Sequence, residues 1–100
     1  MDYELRIIAG CPNSAPALEL FRQALAAENV AGHIRVVQLE SEEQARALSF
    51  HGSPSFIADG RDLFPAAAAP ALTCRVYTGA TGLVGMPSQE DLQAALRSRP

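Results

Sequence analysis

Two apolar runs near the N-terminus constrain this chain more than any other feature. Leu5-Arg6-Ile7-Ile8-Ala9 lies within residues 4–9, and Ile34, Val36, Val37 and Leu39 lie within 34–39. Neither run alternates between apolar and polar, the pattern of strands covered on both faces. Between them Leu18, Phe21 and Leu25 recur at spacings of three and four, the stripe of an amphipathic helix. Two strands joined through a helix run parallel, because the crossover returns the chain to the same end of the sheet. The chain therefore opens as a βαβ unit, and an α/β fold is expected.

Its 100 residues suit one domain, 1–100. Hydrophobic residues make up 48% and charged residues 19%, enough for a core and too few charges for disorder. No apolar run reaches the ~20 residues of a membrane span, and Met1-Asp2-Tyr3-Glu4 has no secretory pattern. A cytoplasmic protein without a membrane partner is expected. Net charge is −3, and the eight basic residues, all Arg, are scattered. Phosphate binding needs concentrated positive charge, so nucleic acid is not an expected partner. No motif calls for a cofactor. The two cysteines, Cys11 and Cys74, are too few for a disulfide scaffold or a closed zinc site, and His33 and His51 lack ligand spacing. Oligomeric state is left open.

Further along, Ser41 and Gln44 fit a capping box that opens a short helix. That helix is expected to run to about Phe50, with Leu48 facing the core and Gly52 as its stop. Ser53-Pro54-Ser55 leads into a strand, Phe56-Ile57-Ala58, closed by the turn Asp59-Gly60. Residues 61–73 form a long connection, with a helical turn at Ala66 to Ala69 ended by Pro70. Cys74-Arg75-Val76-Tyr77 reads as a strand, Thr78 to Gly82 as a turn and Leu83-Val84-Gly85 as a last strand. Ser88, with Asp91 at the third position, caps a C-terminal helix through Leu92 and Leu96.

Chemistry concentrates at Gly10-Cys11-Pro12-Asn13-Ser14, between the first strand and its helix. The first amides of a helix lack internal partners and stabilise a thiolate placed before them. Pro16 limits how close Cys11 can come. With Cys11 as N-cap, Pro16 would fall inside the helix and cost ~3 kcal/mol. With Asn13 as N-cap, Pro16 takes the third position, where its missing N–H does no harm. Cys11 then sits two residues before the helix, so the dipole lowers its pKa less. An unpaired cysteine otherwise serves as a small apolar core group.

The order βαβαββα, a cysteine after the first strand and a proline opening the third resemble the thioredoxin-like superfamily over nearly the whole chain. The resemblance implies a mixed four- to five-stranded sheet flanked by helices. Gly10-Cys11-Pro12-Asn13-Ser14 falls where that family carries Cys-x-x-Cys, and Gly52-Ser53-Pro54-Ser55-Phe56 where it carries its cis-proline loop. Gly79 to Ser88 resembles the glycine-containing segment before its last helix. The resemblance implies that Pro54 faces the Cys11 sulfur and that the Ser53 backbone bonds a bound peptide or thiol. Pro12, Ser53 and Pro54 would then meet the substrate. The chain also departs from the pattern. Ser14 replaces the second cysteine, Gly10 stands where a Trp is usual, and the first strand lacks the buried acid. Cys-x-x-Ser is similar to the monothiol glutaredoxins as well, but their Cys-Gly-Phe-Ser and preceding lysine are missing.

Around Cys11, Ser14 can donate to the thiolate or satisfy a helix amide. His51 can exchange a proton with the thiol or stand as a solvated helix end. Arg61 and Arg75 can pair with a ligand carboxylate or remain solvated. Cys74 has two placements. A direct hairpin after the third strand puts it at the far end of the sheet, beyond disulfide reach. A connection that climbs back over residues 61–73 starts it near Cys11, as a distant resolving thiol or a second soft-metal ligand. Three functions remain open. One is a thiol-disulfide oxidoreductase acting through Cys11 and Ser14 on a small thiol or protein disulfide. The others are a binding or adaptor domain without turnover, and soft-metal binding by Cys11 and Cys74.

Overall fold

The strand–helix–strand opening forms as its pattern requires. The computed structural model describes residues 2–30, 32–65, 69–75, 77–79 and 82–98. Strand β1 (Tyr3–Ile8) leads through helix α1 (Ser14–Ala27) to β2 (Ile34–Leu39), and the strands pair in parallel from Tyr3 opposite Ile34 to Ile8 opposite Leu39. Helix α2 (Glu42–Ala47) follows, then β3 (Ser55–Ala58), antiparallel to β1 on its other side. Asp59 and Gly60, at φ +50° and +79°, turn the chain back into β4 (Arg61–Asp62). Positive φ at both central residues matches the right-handed twist of a hairpin. The result is an open, mixed sheet of order β2-β1-β3-β4.

Strands β5 (Tyr77–Gly79) and β6 (Gly82–Val84) form a separate two-stranded ribbon before helix α3 (Gln89–Ser98). This corrects the expected element order. Among the described residues the main sheet has four strands, within the four to five expected, and the order carries two more strands than βαβαββα. The reason is local: Arg61 turns straight back on β3 and takes the edge that a returning Cys74–Tyr77 strand would need. Cys74 is left with a one-residue parallel bridge to Ser53, ahead of β3. The helical turn expected at Ala66 to Ala69 falls mostly on residues 66–68, outside the described residues. So do Val76 and the middle of the Thr78–Gly82 turn.

Alternate residues of β1 serve different clusters, as strand geometry demands. Tyr3 and Leu5 join Ala17, Phe21, Ala24, Leu25, Phe56, Leu92 and Leu96, which fixes α1 and α3 to the sheet. Within that core Tyr3, Phe21, Phe56, Phe64 and Tyr77 meet edge to face in one chain of rings, with centroids 5.2 to 6.3 Å apart. Leu39, Ala45 and Phe50 form a second cluster, against which Ile8 packs. Between these sites Arg6 is buried, bonding Glu4 at 2.9 Å and the Leu48 carbonyl at 3.1 Å. Burial raises the Glu4 pKa, but Arg35 and Arg6 together bring it below its ordinary value.

Three caps are as expected. Asn13 is the N-cap of α1, with its carbonyl accepting from Ala17 at 2.9 Å. Ser41 accepts from Gln44 N–H at 3.1 Å, and Ser88 from Asp91 N–H at 3.0 Å. The end of α2 differs from expectation. Ser49, at φ +52°, takes the left-handed position, with Ser49 N–H bonding Arg46 and Phe50 N–H bonding Ala45. That Schellman pattern stops the helix before Leu48 can turn inward, so Leu48 is 39% exposed and Gly52 plays no capping part. Strand β2 is also less covered than its apolar run suggests. It is the sheet edge, α2 is too short to shield it, and Val36 is 46% exposed.

Phe21 is fully buried and touches both Tyr3 and Phe56. Replacing it with Ala should cost about 3–5 kcal/mol of folding stability. Urea titration followed by far-UV circular dichroism checks this; a loss below 1 kcal/mol would contradict the packing described.

Candidate functional site

The chain leaves β1 at Ile8, turns at Gly10 (φ +76°), and presents Cys11 ahead of α1. Cys11 N–H donates to Ile8 carbonyl at 3.4 Å, and Cys11 carbonyl accepts from Ser14 N–H at 3.3 Å. Pro16 sits at the third helical position, where it costs no hydrogen bond. The Asn13 side chain does not cap the helix. It lies against Gly85 instead, where an added Cβ would come within 2.3 Å of its amide nitrogen. The segment before α3 thus closes over the Cys11 turn. Cys11 is 9% exposed, and Pro12 beside it is exposed.

The second wall is Gly52-Ser53-Pro54-Ser55, with a cis Ser53–Pro54 bond. Three neighbours hold it. Ser53 N–H donates to Thr73 carbonyl at 2.8 Å, and Ser53 carbonyl accepts from Arg75 N–H at 2.9 Å. Tyr77 hydroxyl donates to the Pro54 carbonyl. Gly52 packs directly on Arg75; a Cβ there would lie 2.8 Å from the Arg75 Cβ, and φ is +118°. Arg75 itself is buried. Its guanidinium bonds Asp62 at 2.7 Å, Ser55 Oγ at 3.3 Å and the Phe64 carbonyl, and it stands 4.7 Å from the Tyr77 ring centroid. Burial pushes the Tyr77 phenol well above its ordinary pKa, so it remains a donor to Pro54.

Charge at Cys11 is set by this packing. Burial raises its pKa. The nearby polar hydrogens of Ser53, Asn13 N–H, Ser14 and Cys74 favour the thiolate, outweigh burial and bring the thiol below its ordinary value. The Ser14 and Ser53 hydroxyls are buried beside the sulfur, yet neither closes a hydrogen bond of ordinary geometry to any atom. Buried hydroxyls are rarely left so. A Cys11 thiolate, a stronger acceptor than the thiol, is the form such donors favour.

The structure brings together Cys11, Ser14, Ser53, Pro54 and Cys74. Cys74 is exposed and bridges to Ser53, at the end of the sheet where β1 leads to Cys11, as the climbing connection requires. Both thiols are free. Ser53 differs from its expected role: the backbone bonds expected to go to a bound peptide are made by the chain's own Thr73 and Arg75. Arg75 is buried and paired, not solvated or open to a ligand. His51 is not among the groups that act on Cys11; its buried Nδ1 has no partner, and it lines a different cavity with Arg6, Arg61 and Asp62. That cavity, of about 910 Å³, does not include Cys11 in its walls. Among the described residues no group of three or more metal-ligating side chains forms, so soft-metal binding rests on the two sulfurs alone. The sequence reading missed the Asp62–Arg75–Tyr77 support. Its one signal was Arg75 inside an apolar run, since a charge buried in a strand needs partners.

Comparison of the chain with protein-family models, curated proteins and solved structures finds no match in any of the three.

Alkylation of Cys11 by iodoacetamide should show a midpoint at lower pH than the same thiol in the unfolded chain. Ser53→Ala should move that midpoint up, because it removes a group that favours the thiolate. Since the folded pKa is the lower one, the shift stabilises the fold above the unfolded thiol's pKa. That contribution is lost as pH falls through the folded value. A midpoint unmoved by Ser53→Ala would remove Ser53 from the site.

Proposed function

We propose that this chain is a thiol–disulfide oxidoreductase of thioredoxin-like architecture that acts through the single motif thiol Cys11. The observation that carries the reading is the pair of buried hydroxyls, Ser14 and Ser53, left without a hydrogen-bond partner beside Cys11, whose thiol lies below its ordinary pKa despite burial. Donors aimed at a sulfur favour the thiolate, the form that attacks disulfides. The parallel β1–α1–β2 unit and the cis Ser53–Pro54 bond just ahead of β3 support the architecture.

The Cys11 thiolate attacks one sulfur of a disulfide in line. A bond forms between Cys11 Sγ and that sulfur, the old S–S bond breaks, and the other sulfur leaves as a thiolate that takes a proton from water. Asn13 N–H and the Ser14 and Ser53 hydroxyls hold the negative charge before attack and receive it again when the adduct is cleaved. A second thiol, such as glutathione, releases Cys11 by the reverse exchange.

The purified protein, equilibrated in glutathione redox buffers, quenched, alkylated under denaturing conditions and weighed, tests this reading. Cys11 should carry glutathione or be joined to Cys74 at oxidising poise, and Cys11→Ser should lose all disulfide exchange with retained fold. Both cysteines alkylated at every poise would sink the proposal and leave a binding domain without turnover.

A further inference from the structure

Resting on Cys11 as the attacking thiol, we infer that Thr73–Arg75 is a built-in occupant of the site. It takes the backbone positions an extended peptide would use and delivers Cys74 to resolve the adduct. The site's external substrates are therefore small disulfides of glutathione size, not extended polypeptide segments.

The argument begins with the backbone at Ser53. An extended peptide docks beside a loop or strand edge by pairing with its free N–H and C=O groups. At Ser53 both are used, by Thr73 carbonyl at 2.8 Å and Arg75 N–H at 2.9 Å. This occupant is anchored on both sides. Arg75 is locked to Asp62, Ser55 and the Phe64 carbonyl, and its backbone presses on Gly52 without space for a methyl group. An external chain would have to displace a buried, paired guanidinium to reach Ser53. A small disulfide needs only access to the sulfur, past exposed Pro12.

The same pairing fixes Cys74. As the residue bridged to Ser53, it stands at the end of the sheet where β1 leads to Cys11 and is itself exposed to solvent. After Cys11 attacks a disulfide RSSR, the adduct Cys11–S–SR stands beside the Cys74 thiol. Cys74 loses its proton to water and attacks Cys11 Sγ. The Cys11–Cys74 bond forms, the bond to SR breaks, and RS⁻ leaves and is protonated. Two protein thiols are oxidised and one RSSR is reduced to two RSH.

Oxidised glutathione and a peptide of extended sequence bearing a glutathione mixed disulfide are the probes. Wild-type protein treated with oxidised glutathione should end as a monomer lacking two thiol hydrogens and carrying no glutathione. Cys74→Ser should instead accumulate the Cys11 glutathione adduct. Wild type should react at least about tenfold faster with oxidised glutathione than with the peptide, and Arg75→Ala should narrow that ratio by freeing Ser53. The ratio in wild type suffices if Arg75→Ala does not fold. A stable glutathione adduct in wild type, or a peptide rate equal to that of oxidised glutathione, would overturn the inference while leaving Cys11 as nucleophile. No reaction of Cys11 with either probe overturns the underlying reading as well.

Discussion

The buried guanidinium of Arg75 is the interaction on which the site depends. It is satisfied by Asp62, Ser55 and the Phe64 carbonyl, and it stacks on Tyr77. A buried ion pair adds little net stability, because desolvation offsets attraction. Removing one partner is different: an uncompensated buried charge costs about 3–5 kcal/mol. Arg75 therefore acts as a constraint on geometry more than as a source of stability. It pins a segment that follows a long connection to the loop before β3, and Ser53, Pro54 and Cys74 take their places from it.

From that constraint the chemistry of Cys11 follows. Pro16 keeps the helix from starting at Cys11, so the thiol stands two residues ahead of the N-cap and the dipole reaches it weakly. What favours its thiolate comes instead from neighbours on three segments: Asn13 and Ser14 at the helix start, Ser53 in the proline loop, and Cys74 on the returning chain. Two of those neighbours are hydroxyls without ordinary partners. All four neighbours are uncharged, so no ion pair is among the causes of the lowered pKa.

The ring chain from Tyr3 to Tyr77 connects this site to the core. Phe56 lies between Phe21 on α1 and Tyr77 below the proline loop, and the Tyr77 hydroxyl holds Pro54. The proline loop thus rests on the same packing that seats α1 against the sheet. The 910 Å³ cavity near Arg6 and His51 stands apart from it.

Local chemistry was legible from the chain. Asn13 and Pro16 located the start of α1, Ser41 and Ser88 the starts of α2 and α3, and Asp59-Gly60 the β3–β4 hairpin. Each is decided within a few residues, by capping, by proline's missing donor, or by positive φ. The Cys11 turn stood out as a cysteine between a strand and a helix start, whereas the cis bond at Pro54 came only from the resemblance, because an X-Pro dipeptide does not mark its own isomer. Ser49 as a left-handed helix stop was not legible, because Ser is not the usual residue there and Gly52 competed for the role. The exposure of Val36 and Leu48 depends on how much sheet a six-residue helix covers, which no window on the chain measures. Residues 61–75 depended wholly on tertiary structure. Whether Cys74 faced Cys11 or lay far from it turned on Arg75 finding Asp62 and Ser55 across the fold. Sequence by itself therefore determined which elements form and which thiol precedes a helix, because those are local contests of backbone hydrogen bonds and periodicity. Only the tertiary structure decided which groups surround that thiol, because a buried charge and a crowded glycine choose their partners through space.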